Sequence, residues 1–383
     1  MRQIVYPAAL GSCALGAGVA PVRAAEWSIA PIYSSSVDYD SNRRLLVEGK
    51  GSEAAILSVD LKFKHALEDL AFTLEPRYSL RRFTDATLGN GDDRSLNAEM
   101  NWVRERSALD LTASYWDQST LTSELLETGI VSANTHRRAA QAGMSWNWNQ
   151  TERRALIAQL SYMDISYYGQ AAALFPGYRY PSGSLGERFS FSERGTFTLS
   201  AFGSSLQSST QGNSSREAGV QAEVIYQFSE KNNLDASLGE SQRVLVGQKS
   251  LGTDASVSLT HSFFLGSLAL GYSRSLVPYG FGFLVERQQY TAAITRPLTP
   301  FLDSTLSFLR IQNNETAILL HLDRRNYNDL SAGLRWHPAE TWSVAAAIEA
   351  IRTQTPDFAG ETVRGFRSDL SVTWTPLPKS RSW

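Results

Sequence analysis

The chain is short of the features that most often announce a function. Its 383 residues contain one cysteine, Cys13, which excludes a disulfide framework and a thiolate metal cluster. Hydrophobic residues are 42% of the total, and they do not gather into the succession of roughly 20-residue apolar runs that a helical polytopic membrane protein needs. Lys and Arg number 36 against 38 Asp and Glu, a net charge of -2, so no basic excess exists to attract nucleic acid. The histidines His65, His136, His261, His321 and His337 are scattered, and no His-Glu-x-x-His, Gly-x-Ser-x-Gly or Walker sequence occurs. An enzyme is not expected, nor a cofactor or metal. His261-Ser262 is a neighbouring His and Ser of the kind a lipid-face acyl hydrolase requires, but successive strand residues point to opposite faces. Gly89 to Asp93 holds two acids without the alternating spacing of a calcium loop.

At the N-terminus, Arg2 precedes an uncharged stretch ending at Val22, and Val22-Arg23-Ala24 has the small or aliphatic residues that a signal peptidase reads. Residues 1-24 are expected to be an export signal cut after Ala24, and 25-383 to form one exported domain, since no linker, repeat or low-complexity tail divides them.

What the chain has is alternation. In residues 70-81, Leu70, Phe72, Leu74, Pro76, Tyr78 and Leu80 fall on one face and Thr73, Glu75, Arg77, Ser79 and Arg81 on the other, the period of two that belongs to a strand. Residues 55-63 and 218-228 follow the same rule, and others do so less cleanly; 178-189, with Pro181, and 240-247 are the weakest. At roughly 20 residues per strand and connection, the length beyond Ala24 holds about eighteen strands, sixteen being the alternative. Short connections, such as 65-68, 149-153 and 229-232, alternate with long ones, such as 40-52, 117-136 and 354-363. Strands running toward the short turns end in an aromatic on the apolar face: Phe63, Trp102, Trp148, Phe228, Phe263, Trp336 and Trp374. Rings repeated at one height form the girdle of a membrane interface. The fold expected is therefore all-β, a transmembrane antiparallel up-and-down barrel in the outer membrane of a Gram-negative envelope.

If the apolar face meets lipid, the polar face lines a lumen. Its charges include Asp60, Lys62, Glu75, Arg77, Arg81, Glu99, Asp110, Glu223, Arg335, Glu349, Arg367 and Asp369, which suit either a wet path or struts that pair across a closed interior. Near the long-loop rim, Tyr168, Phe175, Tyr178 and Tyr180 surround two glycines, and Tyr279 and Phe281 sit in a second ring-and-glycine stretch. Such rings can stack on sugars at the mouth; the plainer reading is an outer-leaflet girdle with a loop packed on itself.

Val37-Asp38-Tyr39-Asp40-Ser41-Asn42, after a strand beginning at Trp27 and passing Pro31, resembles the opening of a group of bacterial outer-membrane porin-like barrels. Some members of that group are encoded with exopolysaccharide or surface-sorting systems. The resemblance implies an outer-membrane pore or conduit for surface polysaccharide or its fragments, with outer-membrane lipid, periplasmic export components and the barrel-assembly machinery as partners. A general small-solute porin and a plugged barrel with ligand-binding loops are the alternatives. The segment after Trp374, Pro376-Leu377-Pro378-Lys379, resembles one more short turn.

Overall fold

A computed structural model describes residues 26-121, 123, 135-169, 172, 175-209, 214-245, 247-280, 282-314, 325-354 and 362-382. The expected cleavage site at Ala24 lies outside them, as does Phe281.

The strands in chain order are β1 (Glu26–Asp40), β2 (Ser52–Ala66), β3 (Leu70–Phe83), β4 (Gly91–Val103), β5 (Ser107–Ser119), β6 (His136–Asn149), β7 (Arg154–Tyr168), β8 (Tyr178–Ser192) and β9 (Gly195–Ser208). They continue with β10 (Ser214–Ser229), β11 (Asn232–Leu245), β12 (Gln248–Phe263), β13 (Gly266–Tyr279), β14 (Phe283–Thr299), β15 (Leu302–Asn314), β16 (Arg325–Ala339), β17 (Trp342–Gln354) and β18 (Thr362–Trp374). Each pairs antiparallel with the next, and β18 returns to β1 through Tyr33↔Trp374 to Asp40↔Arg367. This is a closed eighteen-stranded barrel, the only kind of sheet whose backbone groups all find partners in lipid. The two weakest segments of the sequence are strands within it, β8 and the end of β11.

The chain's end is not one more turn. A four-residue strand, β19 (Lys379–Ser382), pairs with the start of β1 from Glu26↔Ser382 to Ile29↔Lys379. The last stave is thus one strand interrupted at Pro376-Leu377-Pro378, where the missing proline N–H groups break the ladder, and it resumes to close the seam along β1.

The faces separate as the alternation requires. Leu57, Leu160, Leu185, Val220, Leu238 and Ile348 are all more than half exposed, on the outer face where lipid would cover them, while their polar neighbours turn inward. All seven girdle aromatics lie on the outer face toward the short-turn rim, joined by Trp27 stacked on His65 at 4.0 Å and by Trp342 stacked on Trp374 at 5.9 Å.

Candidate functional site: a lumen narrowed from two sides

Every predicted lumen charge faces inward, and many are held by a cross-strand partner. Arg77 Nε lies 3.2 Å from Asp60, Lys62 pairs with Glu75, and Arg81 is 3.5 Å from Asp93. Asn101 donates to Asp110; Glu99 stands opposite Thr73 and Thr112. Arg367 reaches Asp40 at 2.8 Å and Glu349 at 3.7 Å, with Asp369 opposite Asp38. Glu223 lies among Thr198, Arg188 and Asp235, and Arg335 stands opposite Asp303. Facing serine hydroxyls bridge neighbouring strands as well, Ser58 to Ser79 at 2.8 Å and Ser161 to Ser182 at 2.6 Å among them.

Toward the long-loop rim, two elements leave the wall. The first is the tip of the β13–β14 hairpin. Pairing of β12 with β13 stops at Ala255↔Arg274, whereas β13 and β14 stay paired to Tyr279↔Phe283. Above that seam the hairpin folds inward: Leu276 and Leu284 pack with Ala139, Ile165, Tyr178, Leu206 and Leu245, which face inward from β6, β7, β8, β9 and β11. What the sequence offered as a loop is two strands running to Tyr279 and from Phe283, with Gly282 between them at φ 78°, where a Cβ would meet Ser208 Oγ at 2.3 Å.

A polar knot ties this hairpin to the wall. Arg243 on β11, 3% exposed, donates to Glu217 at 3.0 Å, to Asp254 at 2.8 Å and to Glu286 of β14 at 3.1 Å. Glu286 accepts further bonds from Arg274 and Asn314, both at 3.0 Å. A planar guanidinium fits this role because its fixed fork of donors can serve three carboxylates together.

The second element is the connection between β1 and β2. Asn42 Nδ2 donates to the carbonyls of Leu46 at 2.7 Å and Arg364 at 3.1 Å, and Arg43, beneath the ring of Phe83, binds Asp38 at 2.9 Å. These bonds bring Leu45 into an apolar cluster with Leu88, Leu121, Ile311, Tyr327, Ile351 and Val363. Leu88 comes from a single 3-10 turn capped by Asp85, whose carboxyl is held below its usual range by hydrogen bonds from the Thr87 hydroxyl and amide. Arg44 links the two connections by donating to Thr87 O at 2.8 Å.

The described mouth rings are divided between the buried interior and the outer surface. Phe175, Tyr178 and Tyr279 are 3%, 3% and 1% exposed, Tyr178 and Tyr279 within apolar clusters and Phe175 stacked on Tyr167 at 5.0 Å. Tyr180 is half-buried beside the inner recess. Tyr168 points outward, its hydroxyl donating to Asp117 at 2.6 Å beneath the guanidinium of Arg138. The other sites weighed in the sequence dissolve. His261 Nδ1 shares a 2.7 Å hydrogen bond with Asn232 at the short-turn end, on the face opposite Ser262. Asp92 pairs outward with Arg94, and Asp93 inward with Arg81, so they share no cation.

Below the infolded hairpin lies a recess of about 490 Å³, lined by Ser145, Gln159, Ser161, Ser182, Gln221, Asp110 and Glu217 among others. It is rich in hydroxyl and amide groups and carries acid on two sides.

Solved structures resemble this architecture over nearly its whole length. OpdQ of Pseudomonas aeruginosa is 11% identical with a TM-score of 0.50, covering 92% of this chain and 99% of that one. OccK2 (OpdF) of Pseudomonas aeruginosa in complex with glucuronate is 13% identical at 0.52, covering 92% and 98%; OccAB3 of Acinetobacter baumannii is 8% identical at 0.52, covering 92% and 99%. No protein-family model and no curated protein matches the chain. At these identities the likeness concerns the fold: the chain is built as a porin-like β-barrel of eighteen strands.

Proposed function

We propose that this protein is an outer-membrane porin for small polar solutes, acting as a channel and not as an enzyme. The observation that carries the reading is the recess of about 490 Å³ under the infolded hairpin, a polar volume within the range of small-molecule sites inside a closed barrel. The acids in its lining, Asp110 and Glu217, would bias passage by charge, and so would the paired charges elsewhere on the inner face, Asp60, Lys62, Glu75, Arg77 and Arg81 among them. Passage of surface polysaccharide, which the opening motif implied, gains no support from the likenesses, and Phe175, Tyr178 and Tyr279, three of the rings offered for stacking on it, are buried. One of the similar porins was solved with glucuronate, a single sugar acid; a solute of that size suits this mouth better than a polymer. On this reading the partners are lipid and the barrel-assembly machinery, with no export apparatus.

Swelling of liposomes containing the refolded chain tests the claim. A pentose or a hexuronic acid is expected to swell them at a rate well above protein-free liposomes, and a hexasaccharide to leave them unchanged. Equal silence for every solute would contradict the porin reading and favour a plugged, structural barrel.

A further inference from the structure

Register fixes which side chains on the outer face are direct cross-strand neighbours. Across β15–β18, the uppermost apolar row is Phe308, Leu330, Ala350 and Phe366, and the next row is Arg310, Asn328, Arg352 and Arg364. Each arginine is exposed and points outward, because Ile311, Ile351 and Val363 beside them are buried in the lumen. Ten residues along β18 separate Arg364 from Trp374 of the girdle, which at about 3.3 Å per residue and a strand tilt of about 40° is roughly 25 Å, the height of an outer-membrane barrel's apolar band. Arg364 therefore stands where lipid headgroups begin on the long-loop side, and with the same tilt its register neighbours out to Arg310 lie within about 9 Å of that height.

No described acid pairs with these three arginines. The contrast within the same barrel is informative. On the outer face of β3–β8, Arg94 is held by Asp92 at 2.7 Å, Arg138 by Asp117 at 3.3 Å and Arg179 by Asp164 at 3.3 Å, so that side neutralises itself. On β17 and β18, Arg352 and Arg364 stand directly opposite each other, a like-charge pairing that costs stability until an anion separates the two.

We propose that Arg310, Arg352 and Arg364 bind the phosphate groups of a lipid headgroup in the leaflet on the long-loop side, with its acyl chains against Phe308, Leu330 and Phe366. Guanidinium is the side chain best matched to phosphate, through paired N–H donors. The row crosses three strand spacings, about 14 Å, wide enough for a headgroup that carries two phosphates. The inference needs the barrel to span a membrane, not to conduct, so its failure and that of the porin reading are separable.

The test is thermal unfolding of the full chain, refolded into phosphatidylcholine nanodiscs with and without a diphosphorylated lipid, followed by its heat-dependent gel shift. The phosphorylated lipid is expected to raise the unfolding temperature of the parent, and high salt to reduce that rise. The triple change R310Q, R352Q and R364Q should lose most of the rise, as R352Q alone should in part, while the triple change to lysine and the triple change R94Q, R138Q and R179Q keep it. An undiminished rise in the R310Q, R352Q and R364Q protein would overturn the proposal; if that protein does not refold, an undiminished rise in R352Q would do so. An equal rise from inorganic phosphate in neutral nanodiscs would also overturn it, because the row would then take a free anion and not a headgroup.

Discussion

Changing Arg243 to alanine is expected to open the mouth of the barrel. The guanidinium is shared by Glu217, Asp254 and Glu286, and its removal strands three carboxylates in a buried setting. Taking one partner from a buried ion pair costs about 3–5 kcal/mol, because the charge left behind can neither be hydrated nor paired. The barrel has a way to avoid that cost. Glu286 belongs to a hairpin already unpaired from β12 above Ala255, so outward rotation of the hairpin hydrates its carboxylate while the rest of the ladder stays intact. Single-channel conductance should rise severalfold with noisier open levels, and the heat-resistant folded band should persist. R243K should lie between, since an ammonium serves the same acids without the fork. Unchanged conductance in R243A would mean that the hairpin is held by apolar packing alone.

Changing Leu45 to aspartate should release the opposite side. Leu45 is 3% exposed and has φ 48°, a left-handed conformation that costs a branched apolar residue about 1–2 kcal/mol. It is tolerated because the side chain fills a cluster with Tyr327, Ile351 and Val363. Aspartate accepts that backbone readily, so its effect isolates the side chain: an unpaired carboxylate among apolar groups, costing several kcal/mol. Residues 41-51 should leave the lumen and expose Arg43 and Arg44, which trypsin then cuts in the folded protein at least tenfold faster than in the parent. Equal resistance would show that the bonds of Asn42 and Arg43 alone hold the connection.

The barrel was legible because lipid imposes one strong rule, apolar out and polar in, on every strand. Leu57 and Val59 against Asp60 and Lys62 already gave the faces, and the girdle from Phe63 to Trp374 gave the height. The lumen's narrowing was not legible by that rule, because it is made where the rule lapses. Around Leu276-Val277 and Phe283-Leu284-Val285 both faces of the strand are apolar, the mark of a segment buried on two sides; taken together with the glycines, it passed for a loop. Arg243, Glu217 and Asp254 alternate like any lumen charges, and only the infolded Glu286 makes them a knot. The connection 41-51 likewise has one apolar run, Leu45-Leu46-Val47, and the destination of Leu45 on the inner face of β15–β18 is set by closure of the barrel and not by neighbouring sequence. Continuation of the last strand beyond its two prolines escaped notice because proline most often marks a turn.

A planar-bilayer recording of the refolded, unmodified chain tests the central claim, a pore narrowed but not sealed, most directly. The account predicts steady, discrete openings of small conductance, lower than those of the Arg243 variant under the same salt. A bilayer that stays silent while the same preparation runs as a folded, heat-resistant band would contradict it.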